Sequence, residues 1–285
     1  MKYHTLTLNE QRLSQLEKIY SNHLIDIQNE HLLFSAIHNG IRIFAYKTGK
    51  VVLQGDNVLS EVAQIKSILK IEDYAAIGAD EVGTGDVFGP IVVCSVYTSL
   101  EDLAFLEELG VKDSKNMDDR QIKAIGPKLA NRLIYSLIIL DPTRYNEINR
   151  KGNNLNKIKA LLHNSSIIKT TAKINKKVPV ILDQFCKPEL YFGYLKDEKF
   201  KYTQIEFHVR AESYHLSVAA ASILARYAFL AKMHELGKKI DMKLLKGAAS
   251  NVDEQIMEIY TQHGIEMLEQ VAKMNYKNVT KQVSL

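Results

Sequence analysis

Apolar positions in the first 70 residues follow first a helical spacing and then a strand-like spacing. Leu13, Leu16 and Ile19 recur at helical intervals within 8–20, and strand-like runs follow at 31–37, 41–47 and 51–54. Asn39-Gly40 joins the first two runs as a tight-hairpin signal. A second helix is predicted through about Leu69, and 3–6 is a candidate further strand. The pattern predicts a small α+β domain at 1–70.

From about residue 71 the pattern changes to buried strands alternating with helices. Strand runs are predicted at 74–79, 91–99, 132–140, 178–182 and 201–209. The first two are expected to pair antiparallel, because little sequence separates them. A long helix is predicted from Tyr214 to about Leu236, and helices at 251–261 and 265–274 follow. The turn at 110–115 leads into another helix, with Asp113 or Ser114 as its N-cap. A second domain of α/β class is therefore predicted at 71–285.

Composition indicates a cellular compartment but identifies no ligand. The formal charge of +4 and the pI near 8.8 are too mild to indicate nucleic acid by themselves. Cys94 and Cys186 lie in apolar surroundings, which predicts two buried thiols and neither a disulfide framework nor a zinc site. No secretory h-region and no apolar run of transmembrane length is seen. These features predict a cytoplasmic protein without a membrane partner.

Charge is concentrated between Arg144 and Lys177. This basic segment contains nine lysines and arginines, and Glu147 is its only acid. Such a field attracts phosphates, although most charged runs are solvated helix faces. We favour a surface that faces a polyanionic substrate. In the N-terminal domain two interpretations stay open, a scaffold or dimerisation module and a sheet that presents Arg42, Lys47 and Lys50 to a polyanion.

The most unusual stretch is 79–86, where an apolar strand ends in Asp80-Glu81 and a glycine-rich turn follows. Carboxylates suit hard divalent cations, and glycines allow a close approach to an anion through backbone N–H groups. Gly83, Thr84 and Gly85 are therefore candidates to bind a substrate phosphate or ribose. The alternative for this stretch alone is an ordinary strand that ends in a polar turn.

Two more acids complete a set that we call the strand-end acids. Asp183 ends the predicted strand at 178–182, and Glu212 opens a helix, where it is otherwise a plain capping carboxylate. The strand-end acids are Asp80, Glu81, Asp183 and Glu212. Together they would repel one another unless a cation neutralised them.

Neighbouring strand residues point to opposite faces, so Asp80 and Glu81 share one site only if the pleat breaks at the glycine turn. With an all-oxygen ligand set, Mg²⁺ is the expected ion. In a two-ion site Asp80 would bridge both ions, and Glu81 and Asp183 would complete the shells. Glu212 would hold the weaker ion.

With these residues in view, the chain resembles the ribonuclease HIII family of the type 2 ribonucleases H. The resemblance covers about 75–275 in the family's order. The matching pieces are Asp80–Pro90, Gly110–Lys115, His163-Asn164, Leu182–Phe185, Ala211–Ser213, Ala219–Arg226 and Lys246–Ala248. The N-terminal domain resembles, more weakly, the family's TATA-binding-protein-like substrate-binding extension. The departures are Val87 in place of an aromatic residue, Leu245 in place of proline, and Ala248-Ala249-Ser250.

The resemblance implies a ribonuclease H-like mixed sheet flanked by helices. It also implies an endoribonuclease that cuts the RNA strand of RNA–DNA hybrids with Mg²⁺ or Mn²⁺, leaving 5′-phosphate and 3′-hydroxyl ends. The strand-end acids would be its catalytic and metal-binding residues. Substrate-binding residues would be Gly83, Thr84, Gly85, Lys115, Asn164 and Lys246.

The sister family ribonuclease HII has Gly-Arg-Gly where this chain has Gly83-Thr84-Gly85, and an aspartate as the fourth acid. Weak activity at a single ribonucleotide in DNA is therefore expected. The alternatives are ribonuclease HII-like excision of single ribonucleotides and a non-catalytic hybrid-binding protein. No protein partner is evident, and a monomer is expected.

Overall fold

The computed structural model describes residues 2–69 and 74–283, apart from the side chains of Lys2, Leu59, Lys112, Asp113 and Lys115. It separates into two compact units, Met1–Tyr74 and Ala75–Leu285. The predicted boundary between 70 and 71 falls on residues that lie outside the described ones, and the side chain of Tyr74, the first described residue after it, is buried.

The N-terminal unit is a four-stranded antiparallel sheet with two helices. Its elements are β1 (Lys2–Thr7), α1 (Glu10–Ile19), a 3₁₀ turn (Ser21–His23), β2 (Leu32–His38), β3 (Ile41–Tyr46), β4 (Lys50–Gly55) and α2 (Val58–Ile68). The strand order is β1-β4-β3-β2. Leu16 of α1 and Ile65 of α2 share one core with Ile43 and Leu53 of the sheet. The helices therefore cover one face of the sheet, and alternate strand residues point to the other.

The C-terminal unit is a five-stranded mixed sheet with helices on both faces. Its strands are β5 (Ala76–Val82), β6 (Ile91–Thr98), β7 (Ile134–Leu140), β8 (Val180–Asp183) and β9 (Ile205–His208). The order is β7-β6-β5-β8-β9, with β5, β6 and β7 antiparallel and β8 and β9 parallel to β5. The predicted fold class, a mixed sheet flanked by helices and preceded by a small α+β domain, is confirmed.

The helices of this unit fill the intervals between the strands. They are α3 (Leu100–Glu108), a 3₁₀ turn (Val111–Asn116), α4 (Asp119–Arg132), α5 (Pro142–Arg150), α6 (Leu155–Ile174), α7 (Pro188–Tyr194), α8 (Ala211–Tyr214), α9 (Leu216–Lys239), α10 (Ser250–Val271) and α11 (Lys277–Gln282). The basic segment thus folds into α5 and α6. The N-cap of α4 is Asp118, so the prediction of Asp113 or Ser114 was wrong, because the 3₁₀ turn uses those residues first.

Helix α9 is the central helix of the C-terminal unit. Its small residues Ala219, Ala220 and Ala221 are fully buried, and an added Cβ on Gly78 of β5 would collide with the backbone at Ser217. The helix therefore lies directly against the sheet. By length and hydropathy α9 also resembles a membrane span, but 67% of its most apolar window is buried inside the fold, which is typical of a core helix.

Helix α6 covers the opposite face of the same strands. Ser95 of β6 is fully buried, and its Oγ lies 2.7 Å from the hydroxyl oxygens of both Ser166 and Thr170 of α6. Ile77 and Ala79 of β5 pack in the core on this side, whereas Gly78 faces α9. Successive residues of β5 therefore face different helices, which decides where its two terminal acids point.

Two smaller predictions are refined. The break expected between the last two helices occurs at Gly264, where φ is +77° within the span of α10. Cys94 is buried as predicted, but Cys186 is only partly buried because it lies in the turn after β8.

Candidate active site

Three of the strand-end acids line one cavity of about 320 Å³ in the C-terminal unit. Asp80 reaches it from β5, Asp183 from the end of β8, and Glu212 from α8. The backbone N–H of Glu81 donates to Asp80 Oδ1 (2.7 Å), and that of Ala211 donates to Asp183 Oδ1 (2.7 Å). Because β5 and β8 are parallel neighbours, their carboxyl ends meet at the same edge of the sheet.

Burial and neighbouring charges make the ionisation of Asp80 costly. Its side chain is only 8% exposed. Burial raises the pKa of Asp80 well above its usual value, and the charges of Glu81 and Asp183 raise it further against an opposing hydrogen bond with Ser222. A cation bound in the cavity would relieve this repulsion. The charge balance of the cavity therefore suits a metal ion.

Glu81 faces the other way. The pairing of β5 with β6 stays regular from Asp80 through Val82, so the pleat does not break before the glycine turn. The expectation that a broken pleat brings Asp80 and Glu81 to one face was wrong. Lys159 Nζ of α6 donates to Glu81 Oε1 (2.8 Å), and His163 Nε2 lies 2.7 Å from Oε2.

The cations beside Glu81 keep it ionised. Burial raises the pKa of Glu81, but the hydrogen bond and charge of His163 and the ammonium of Lys159 outweigh it, so the pKa is lowered. Phe185 fixes both partners, since Lys159 Nζ lies 4.0 Å from its ring centroid and His163 stacks on it at 5.5 Å. Asp80 and Glu81 are thus sequence neighbours with opposite pKa shifts.

Glu212 lies in a short helix of its own. It was expected to open the long helix, but α8 ends at Tyr214 and α9 begins after the cap His215, whose Nδ1 accepts from Ser217 N (3.1 Å). Glu212 is 6% exposed. Its position comes from α8 and from the turn at Arg210, which has a left-handed backbone with φ +58°. Such a backbone in a residue other than glycine is costly and is often found at functional sites.

The two glycines of the turn differ in the space around them. Gly83 has φ +95°, and a Cβ there would collide with the Pro90 carbonyl oxygen, so the fold itself requires glycine. Gly85 has no such φ, and an added Cβ would meet nothing within 4 Å. Gly85 therefore leaves clearance for a ligand rather than for the protein. The Thr84 carbonyl accepts from Tyr276 Oη (2.8 Å).

A buried lysine, more than 180 positions later in the sequence, donates hydrogen bonds to the backbone of this turn. Lys273 is 0% exposed, and its Nζ donates to the carbonyl oxygens of Asp86 and Gly89, each at 2.7 Å. Burial lowers the pKa of Lys273 to about 7. The backbone of Lys273 also donates to Val87 O (2.9 Å). The residues after α10 thus fix the shape of the turn.

The remaining predicted substrate contacts are less uniform. The side chain of Lys115 lies outside the described residues. Asn164 is 4% exposed, and it donates to Phe200 O (2.8 Å) and accepts from Tyr202 N (2.9 Å), so it holds the segment before β9. Lys246 is 47% exposed and forms an ion pair with Asp119 (2.5 Å). The substrate contacts of these three residues stay predictions.

Several residues of the site were not singled out from the sequence. Lys159 and His163 stand four positions apart on one helix, a spacing that puts both on one face and was a usable signal. Arg210 and Arg226 line the acid cavity and bring positive charge to it. Ser114 lines it as well, and its buried Oγ has no hydrogen-bond partner among the described residues.

The oxygen-rich cavity fits a hard divalent cation. Among residues 2–69 and 74–283, no three His, Cys, Asp or Glu side chains already stand at metal-ligand spacing. Carboxylate oxygens such as those of Asp80, Asp183 and Glu212 are the ligands that hard divalent cations prefer. The strand-end acids remain the candidate ligands.

Comparison with known proteins agrees with the geometry. Residues 77–279 match the family Ribonuclease HII, and residues 4–73 match a domain of unknown function, DUF3378. The chain is 49% identical over 284 residues to Ribonuclease HIII of Phytoplasma mali (strain AT), covering 99% of each chain. It is 38% identical to Ribonuclease HIII of Bacillus pumilus (strain SAFR-032), covering 99% of this chain and 98% of the relative.

Solved structures show the same likeness. Bst-RNase HIII in complex with Mn²⁺ is 36% identical with a TM-score of 0.73, over 99% of this chain and 98% of that chain. The RNase H3 of Aquifex aeolicus, 24% identical with a TM-score of 0.61 over 95% of this chain and 99% of that chain, shares the fold.

The ion pair at Glu81 predicts that Lys159→Met strengthens divalent-cation binding. Removing an ammonium 2.8 Å from a candidate ligand abolishes like-charge repulsion, and even part of that Coulomb energy lowers the dissociation constant about tenfold. Calorimetric titration with Mn²⁺ in the absence of nucleic acid measures the change. Lys157→Met is the control, since Lys157 is on the same helix and makes no ion pair with Glu81. An unchanged or higher dissociation constant for Lys159→Met would contradict the prediction.

Proposed function

Because the chain belongs to the ribonuclease HIII family, and is thus a metal-dependent endoribonuclease of RNA–DNA hybrids, we propose that the strand-end acids carry its chemistry. The observation that supports this most is the convergence of Asp80, Asp183 and Glu212 on one cavity. Asp80, whose pKa is raised by burial and by the charges of Glu81 and Asp183, is one of the three.

In the proposed site Asp80 and Asp183 would hold divalent ions, Mg²⁺ or Mn²⁺. Glu81 would add a further carboxylate ligand, and Glu212 would hold the more weakly bound of two ions. When bound, the ions lower the pKa of the attacking water and stabilise charge on the leaving 3′-oxygen. Cleavage then leaves a 5′-phosphate and a 3′-hydroxyl. Glu81 points to the other face of β5, where Lys159 and His163 hold its oxygens, so it would join the ions only if its side chain left these two partners.

The chain's own residues position the substrate strand beside these acids. Gly85 supplies clearance for a sugar–phosphate backbone, and Gly83 shapes the turn. Arg210 and Arg226 line the same cavity and offset the charge of an entering phosphate. Ser114 offers a buried hydroxyl to the same space. Each group stands ready before substrate arrives, which lowers the entropic cost of alignment.

The decisive test of the acids is Asp80→Asn. Cleavage of a full hybrid should fall at least about 10³-fold, because several kcal/mol of metal-dependent stabilisation is lost. Binding of the hybrid in chelator should remain, since the substitution leaves the cations of the cavity unchanged and removes one repulsive carboxylate. The paired measurements are single-turnover cleavage in Mn²⁺ and Mg²⁺ and fluorescence anisotropy in EDTA. Wild-type cleavage rates in the variant would overturn the assignment.

We also propose that continuous hybrids are the preferred substrate. Thr84 stands where the sister family has an arginine, and the structure shows its carbonyl tied to Tyr276. Without an arginine side chain at that position, the glycine turn makes fewer contacts with an isolated ribonucleotide. We expect cleavage of a continuous hybrid to exceed cleavage at a single embedded ribonucleotide by at least about tenfold, or 1.4 kcal/mol. Side-by-side kcat/KM values in each metal decide between them, and the reverse preference would favour ribonuclease HII-like excision.

We infer that the N-terminal unit binds the hybrid through the open face of its sheet. Cross-strand pairing aligns Tyr3, Gln54, Arg42 and Ile37 in one row across all four strands. Tyr3 is 76% exposed and Ile37 40% exposed, so apolar surface and positive charge share this face. An apolar, basic sheet surface suits a nucleic-acid backbone and its sugars. A dimerisation surface is the competing interpretation.

The variant Arg42→Glu tests that face. We expect KM for a long hybrid to rise about tenfold, equivalent to about 1.4 kcal/mol, with a weaker salt dependence because a phosphate contact is lost. Lys18→Glu is the matched control, since it makes the same charge change on α1, which covers the opposite face. Light scattering completes the test. A dimeric wild type that Arg42→Glu makes monomeric, with KM unchanged, would favour dimerisation.

A further inference from the structure

A second cavity of the C-terminal unit lies outside the acid site. Its volume is about 550 Å³, and it is formed by α4, α9 and the loop after α9. We call it the lysine groove. Its rim carries Lys123, Lys238, Lys243 and Lys246.

Positive charge in the lysine groove exceeds negative charge. Only Asp119 and Asp241 are acids among its lining residues, and Asp119 is already paired with Arg226 (2.7 Å) and Lys246 (2.5 Å). Those two cations hold the pKa of Asp119 below its usual value although burial raises it. Lys123 and Lys238 are exposed and have no ion-pair partner among the described residues. The groove therefore has cations available for an anionic ligand.

One face of α9 connects the acid cavity to the lysine groove. Ser222 and Arg226 line the cavity, and Leu230, His234 and Gly237 follow at helical spacing along the groove. Helix α4 repeats the connection, since Ile122 lines the cavity and Lys123 the groove. The Asp119–Arg226 ion pair stands between the two. The start of α4 lies over α9 at this point, since Arg226 also donates to Met117 O (2.8 Å), so a strand that leaves the acids would pass over this ion pair to reach the groove.

The length of α9 gives the distance between the acid cavity and the lysine groove. From Ser222, which is hydrogen-bonded to Asp80, the helix continues twelve positions to His234 and sixteen to Lys238. At about 1.5 Å per residue these are roughly 18 and 24 Å, or about five to seven steps of a strand that rises about 3.4 Å per nucleotide. That span reaches well beyond the scissile phosphate.

We propose that the lysine groove binds the sugar–phosphate backbone of the hybrid about five to seven nucleotides from the cut. The proposal rests on the assignment of the strand-end acids as the cutting site. This contact would make the affinity depend on the length of the duplex and not on its base sequence, because lysines bind phosphates as point charges. Long hybrids would contact the lysine groove as well as the glycine turn and the strand-end acids. Short hybrids would contact only the glycine turn and the acids.

The test compares two double variants with the same change of charge. Lys123→Glu/Lys238→Glu reverses two groove lysines, and Lys128→Glu/Lys239→Glu reverses two lysines on the same helices outside the groove. Dissociation constants are measured by fluorescence anisotropy in EDTA. The duplexes carry a short block of ribonucleotides and extend about 12 or about 3 base pairs beyond it, on either side in turn, so that one short form cannot reach the groove.

For the long duplex we expect the groove variant to bind about tenfold more weakly, with its salt slope reduced by about 2, while the control changes less than twofold. On the duplex too short to reach the groove, the two variants should be indistinguishable. Circular dichroism and the neutral pair Lys123→Gln/Lys238→Gln exclude a folding defect, and the neutral pair should show a smaller loss in the same order.

Equal losses in groove and control variants would reduce the effect to overall charge and overturn the proposal. An unaffected groove variant would also overturn it and leave the groove to a different ligand, such as an acidic protein. Because binding in EDTA needs no metal, these outcomes are independent of the acid assignment. That assignment fails separately if Asp80→Asn still cleaves.

Discussion

The pleat of β5 is the constraint on which the site depends. Two adjacent acids at the end of a regular strand must point to opposite faces, and the structure gives each a different environment. Asp80 enters a cavity shared with other carboxylates, whereas Glu81 meets Lys159 and His163 of α6, which pack on the ring of Phe185 from the turn after β8. The sheet thereby separates two like charges that the sequence places side by side. As a result, helix α9 contacts Asp80 through Ser222, and helix α6 contacts Glu81 through Lys159 and His163.

Much of this was visible in the sequence. Each of the strand-end acids stands at the end of an apolar run or at the entry to a helix, and such positions are the natural places for an active site in an open sheet. The hairpin at Asn39-Gly40 and the break near Gly264 were also readable from local turn chemistry. These features share one property, in that neighbouring residues alone determine them.

What the sequence did not reveal depends on distant residues. Glu81 meets Lys159 and His163 only because α6, nearly 80 positions later, lies across that face of the sheet. Lys273 was not singled out from the sequence, and its complete burial follows from the path of the chain after α10. Tertiary placement also decided that the basic segment is partly internal, since Lys159 and His163 are buried.

The support of the glycine turn by Lys273 has a consequence for protein synthesis. The turn at 83–89 is made early, but the ammonium and the Tyr276 hydroxyl that fix its carbonyls come about 190 residues later. Domains fold from the N-terminus as the chain emerges from the ribosome. In a nascent chain that still lacks residues 271–276, no ammonium or tyrosine hydroxyl fixes these carbonyl oxygens. The glycine turn therefore reaches its final shape only after Tyr276 has been made, later than every one of the strand-end acids.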